Sequence, residues 1–201
     1  MNPRSAAPVD GRDPVAYNAP MALPSTIYRL KIALSDVDRG VYETLDLRLA
    51  RHPSETLRYL LTRTLAYCLS YEDGIAFSKG GLSSAEEPPV AVYDPTGRLR
   101  AWIDVGAPSA ERLHKASKAS ERLTIFTSTD PGLLQREAAA KGVFGAADIP
   151  IFHLDPAFLD ALEPLVDRKT SLEVLHTNGH LYVTVGAATL ETALTRTALG
   201  A

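Results

Sequence analysis

The stretch Glu87–Gly106, EPPVAVYDPTGRLRAWIDVG, decides the fold. Val90–Tyr93 and Leu99–Val105 are short apolar runs bounded by turn residues, which is the pattern of buried strands. Asp94-Pro95-Thr96-Gly97 between them places proline at the second position of a tight turn, so the two strands form a hairpin. Asp104 is then an acid near the exit of an apolar strand. Such a group needs a partner.

Working outward, residues 109–119 predict a basic helix carrying Arg112, Lys115 and Lys118. Leu123–Thr127 predicts a further strand, and Asp130-Pro131 opens a helix that ends before Gly142. Ile151–Leu154 reads as a strand and Pro156–Leu165 as a short helix. Leu172–Leu175 and Leu181–Val185 flank Asn178-Gly179, a strong hairpin signal. Toward the N-terminus, Ile27–Leu34 and Tyr42–Leu49 alternate like strands around an Asp36–Gly40 turn. Residues 53–70 carry the strongest helical period, with Leu57, Leu60, Leu61, Leu65, Cys68 and Leu69 at steps of three and four. Pro53 suits its first turn, and Glu55 stands beside it.

The predicted order is ββαββαβαβαββ. Hairpins alternate with helical crossovers, which predicts an α/β (α+β mixed) fold with a mixed central sheet flanked by helices. Residues 1–20 show no periodicity and read as a disordered tail. Met21 opens the clean pattern and is a candidate start, with 21–201 one domain.

Composition narrows the function classes. The net charge of −3 provides no global field toward polyanions. A basic surplus is local: residues 98–122 hold six Lys or Arg against three acids. The single cysteine, Cys68, excludes an intrachain disulfide and reads as a small buried hydrophobe. No apolar run is long enough to span a bilayer, and no apolar signal segment opens the chain. A cytoplasmic protein is expected.

Glu55 on a helix, Glu87 before one strand, Asp104 on the next and a lysine nearby make a set suited to metal-assisted phosphodiester hydrolysis. Carboxylates are hard ligands for Mg²⁺ or Mn²⁺, and the metal would orient water and stabilise the oxyanion. Each residue also has a structural reading. Glu55 complements a helix dipole, Glu87 is a solvated charge, and Asp104 forms a salt bridge to Arg112 or Lys115.

Three blocks carry a resemblance: Met21-Ala22-Leu23-Pro24-Ser25-Thr26-Ile27-Tyr28, Leu49-Ala50-Arg51-His52-Pro53-Ser54-Glu55-Thr56, and Glu87-Pro88 through Trp102-Ile103-Asp104-Val105-Gly106. Together they make the chain similar to the YaeQ family of small bacterial cytoplasmic proteins. The resemblance implies a restriction-endonuclease-like core, a variant of the PD-(D/E)xK nucleases, with extra β-hairpins. Carried over, it implies Glu55, Glu87 and Asp104 as catalytic and metal-binding acids. The lysine two residues beyond the strand acid is missing, because Gly106 stands there. Lys115, or Lys118 one turn later, would supply the ammonium. Two functions follow as expectations: a Mg²⁺- or Mn²⁺-dependent nuclease or phosphodiesterase, or a non-catalytic nucleic-acid- or protein-binding module on a degenerate nuclease scaffold. Nucleic acid would be met through Arg112, Lys115 and Lys118.

Overall fold

A computed structural model describes residues 25–78 and 87–201. The tail, Met21 and most of the glycine- and serine-rich loop after Ser78 fall outside those residues. The central stretch folds as its sequence predicts: β4 (Val90–Tyr93) and β5 (Leu99–Val105) pair antiparallel around the Asp94–Gly97 turn. Residues 101–105 are all buried, as befits a strand covered on both faces.

Two sheets form where one was expected. Four strands make up most of the first: β1 (Thr26–Asp36), β2 (Val41–Arg51), β8 (Lys169–Thr177) and β9 (His180–Val185). With β10 (Ala188–Ala193) they lie in the order β10-β9-β8-β1-β2. β1 pairs antiparallel with β2 and parallel with β8. The second sheet has six strands in the order β11-β7-β6-β5-β4-β3. Its remaining members are β3 (Ile75–Phe77), β6 (Arg122–Thr127), β7 (Pro150–His153) and β11 (Thr195–Ala198). The strands β3, β10 and β11 were not expected from the sequence. The division follows from the pairing: β1 takes β2 on one edge and β8 on the other, and among the described residues no strand joins this sheet to the β3–β7 ladder.

Among the described residues, four helices connect these strands. Helix α1 (Leu57–Leu69) starts at the Thr56 cap, whose hydroxyl accepts from Tyr59 N at 3.1 Å. The expected start at Pro53 is therefore early by about one turn, and Glu55 precedes the helix rather than lying in its first turn. Buried residues run from Leu60 to Ala66 without a break. A helix buried on all sides belongs inside a core. It shares one core with the inner faces of both sheets and with α4 (Pro156–Leu162). Gly74, with φ +86°, follows the helix at a position only glycine fits, because a Cβ there would stand 2.0 Å from the Tyr93 carbonyl oxygen. The far side of the six-stranded sheet is covered by α2 (Ala110–Ala119) and α3 (Pro131–Lys141) over a second core containing Trp102, Leu113, Ile125 and Leu134. The outer face of the five-stranded sheet has no covering layer among the described residues.

Candidate functional site

Strand alternation decides where the expected acids point. Ala101, Ile103 and Val105 face the α1 core, while Trp102 shares the α2 core. Asp104, two residues on from Trp102, aims toward the α2 layer. It is 2% exposed and fully engaged. Its Oδ2 accepts from Arg112 Nε at 2.6 Å and Trp102 Nε1 at 3.0 Å, and its Oδ1 accepts from Val105 N at 3.0 Å. Arg112 also lies over the Trp102 ring and donates to the Glu87 carbonyl at 2.9 Å. Of the two salt-bridge partners expected for Asp104, Arg112 is the one seen.

Glu87 joins this cluster through its main chain. Its exposed side chain turns away and accepts from Ser78 Oγ at 2.9 Å. Lys115 and Lys118 both lie on the exposed face of α2. Arg112, expected as a nucleic-acid contact, is instead turned inward.

Glu55 belongs to the α1 layer. It is 2% exposed, and its Oε2 accepts from His52 N at 3.1 Å, an acidic clasp on the turn before the helix. Its Oε1 lies 3.0 Å from Arg63 Nη2, but misaligned, so that Oε1 makes no hydrogen bond. Arg63 Nε is also without a hydrogen-bond partner, and its guanidinium carbon sits 5.6 Å over Phe77. Burial pushes the Glu55 carboxyl above the usual carboxylate range, against the opposing pull of Arg63.

Tyr59 stands between the two clusters. Burial raises its phenol to about 12, with Asp104 adding to the rise, Arg63 opposing it and Glu55 adding further. Its ring borders Gly106, where φ is +88° and a Cβ would meet the ring at 3.4 Å. The position that carries the lysine in the implied motif is thus a left-handed glycine backed by an aromatic ring.

Each of the three expected acids has its own partner: Glu55 lies beside Arg63, Glu87 accepts from Ser78 and Asp104 from Arg112. Glu55 sits in the turn before α1, while Asp104 is held on the α2 side of β5. Among the described residues no three His, Cys, Asp or Glu side chains gather as a metal-holding group. The ligand set does not fit a shared divalent ion in this arrangement, because Asp104 spends its Oδ2 on a guanidinium and Glu55 lies beside another. Sequence reasoning missed Arg63 and Tyr59. Arg63 carried a legible signal, a cation in the middle of an apolar helical run.

The described residues form a mixed α+β fold of two mixed sheets and four helices, with Glu55 and Asp104 beside internal arginines. It belongs to the YaeQ family: the sequence profile described as YaeQ protein matches residues 21–194. YaeQ of Escherichia coli (strain K12) is 28% identical over 177 residues, covering 87% of this chain and 97% of that protein. The crystal structure of YaeQ from Xanthomonas axonopodis pv. citri matches with a TM-score of 0.76 at 30% identity, covering 87% of this chain and 97% of that one. The YaeQ structure from Pseudomonas syringae matches with a TM-score of 0.77 at 30% identity, covering 87% and 96%. Among the described residues no helix is long and apolar enough to cross a membrane.

Proposed function

We propose that this chain is a non-catalytic nucleic-acid- or protein-binding module, cytoplasmic, on a core of the PD-(D/E)xK nuclease type. The core assignment is supported by the succession α1, β3, β4, β5, α2, β6, which is helix, three strands, helix, strand. The observation that carries the non-catalytic reading is the Asp104–Arg112 pair at 2.6 Å. A buried carboxylate already neutralised by a guanidinium has little left to offer a cation. Gly106 in the lysine's place points the same way. The exposed Lys115 and Lys118 of α2 offer phosphate contacts at its edge.

A second reading, a Mg²⁺- or Mn²⁺-dependent phosphodiesterase using Glu55, Glu87, Asp104 and Lys115 or Lys118, is favoured by one observation. The Tyr59 phenol is electrostatically coupled to both Glu55 and Asp104, so the two carboxylates lie near one end of α1. The deciding experiment incubates the full chain and Asp104→Ala with labelled single- and double-stranded DNA and RNA, across Mg²⁺ and Mn²⁺. The non-catalytic reading expects no cleavage by either protein. Metal-dependent cleavage that disappears in Asp104→Ala would overturn it in favour of the second reading.

A further inference from the structure

On the uncovered face of the five-stranded sheet, β1 presents Ile27, Arg29, Lys31, Ala33 and Ser35 outward, because Tyr28, Leu30, Ile32 and Leu34 fill the core. Register then fixes the neighbours. Arg29 stands opposite Arg48 on β2 and opposite Lys169 on β8. Lys31, the next outward residue, stands between Asp46 and Ser171. These side chains line an open basin of about 630 Å³ with four cations against one acid. In a chain of net charge −3, that concentration is local.

The arrangement works against stability. Strands lie about 4.8 Å apart, so Arg48, Arg29 and Lys169 form a row of like charges spanning roughly 10 Å. Directly opposed like charges destabilise a sheet. None of the four cations has an ion pair with a described residue, Asp46 included. A row of self-repelling cations, one strand to either side of Arg29 and backed by Lys31 about 7 Å further along the strand, is matched by a ligand with regularly spaced negative charge.

We infer that this sheet face binds the phosphate backbone of single-stranded nucleic acid through Arg29, Lys31, Arg48 and Lys169. The inference rests on the binding reading above and deepens it by naming ligand and surface. A single strand fits better than an anionic membrane, because Asp46 lies within the basin and Glu173 and Glu191 occupy the same face beyond it. It fits better than a duplex because Tyr42, 63% exposed, stands two rows along on that face and offers a ring to an unstacked base.

The test is fluorescence anisotropy with a labelled 20-nucleotide oligo-dT and its oligo-U counterpart, using the full chain at several salt concentrations. Four contacts predict a log–log salt slope near −3, from about −0.7 per phosphate on single strands. Arg29→Thr/Arg48→Thr is expected to raise Kd at least tenfold and to reduce the slope by about 1.4. Its thermal melt, equal to or above that of the parent, would show the fold is kept. Lys115→Thr/Lys118→Thr, on the other candidate surface, is expected to raise Kd less than the sheet variant does. If the α2 variant loses binding and the sheet variant does not, this inference falls and nucleic-acid binding elsewhere on the module stands. If the parent binds neither oligonucleotide, the inference falls, while absence of cleavage would still leave a protein-binding module. Duplex binding of equal affinity, or capture by phosphatidylserine vesicles that depends on Arg29 and Arg48, would also overturn it.

Discussion

Arg112 holds Asp104 from one turn into α2, with Nε 2.6 Å from Oδ2. The pair ties the end of the central strand to the helix that follows it, and through the Glu87 carbonyl to the entry of β4. Removing one partner leaves a buried charge uncompensated. Arg112→Met is therefore expected to destabilise the fold by about 3 kcal/mol, lowering Tm by roughly 6–12 °C for a chain of this size. Asp104→Leu/Arg112→Met should recover part of that loss, because replacing both charges removes the desolvation penalty. Thermal melts of the singles and the double give the coupling.

Gly106 is the place to ask whether the missing lysine can be restored. Its φ of +88° disfavours any residue with a Cβ, and Tyr59 borders the space. Gly106→Ala is expected to cost about 1–2 kcal/mol. Gly106→Lys should be at least as unstable and still fail to cleave nucleic acid with Mg²⁺ or Mn²⁺. Cleavage by that variant would mean the remaining acids are competent after all.

The Tyr59 phenol, pushed up to about 12 from an ordinary 10, gives an alkaline signature. A raised folded-state pKa means that the folded protein holds this proton more tightly than the unfolded chain. Stability from that group is present below pH 10 and is lost as pH rises from 10 toward 12. Tyr59→Phe should be less sensitive to alkali over that window. Absorbance titration of tyrosinate should also lose its latest-titrating component in the variant.

Asp36 and His176 are 140 residues apart in sequence and 2.8 Å apart in space. Asp36 is 1% exposed and also accepts from Arg39 Nε at 2.6 Å. Arg39 in turn donates to the Cys68 and Tyr71 carbonyls at the end of α1. Asp36→Asn is expected to destabilise by about 3 kcal/mol, measured by urea denaturation. A loss under 1 kcal/mol would show that the network is ornamental.

Acid sensitivity should appear at the neighbouring turn. Asp38 accepts from Gly179 N at 2.9 Å and Asn178 N at 2.8 Å, and these bonds hold its carboxyl below the usual value. A lowered folded-state pKa contributes stability above the unfolded value, lost as pH falls through the folded one. Asp38→Asn should therefore narrow the stability difference between pH 7 and pH 3, followed by thermal melts at each pH.

Much of the fold was legible because local signals and tertiary demand agreed. The Asp94–Gly97 turn, the apolar run of β5, the leucine spacing of α1 and the Asn178-Gly179 hairpin each point to what forms. The last strands were hidden because their residues, such as Ala188, Leu190, Glu191 and Ala193, favour helix locally, and only pairing with β9 makes them extended. The separation into two sheets was illegible for a related reason: β1 and β8 pair 140 positions apart and leave no mark on local periodicity. At the candidate site, residue types suggested convergence, but direction depends on which face of β5 Asp104 takes. Trp102 carried that information, because a large apolar ring two residues before the acid commits both to one side.

The parallel pairing of β1 with β8 also has a consequence for synthesis. The β1–β2 hairpin leaves the ribosome with one edge of β1, the edge that β8 takes, still unpaired. Roughly 120 more residues must be made before β8 arrives, a delay of about 6–24 s at ordinary translation rates. During that interval the nascent hairpin is sticky, and chaperone capture of stalled chains truncated before Lys169 is where that exposure would be felt.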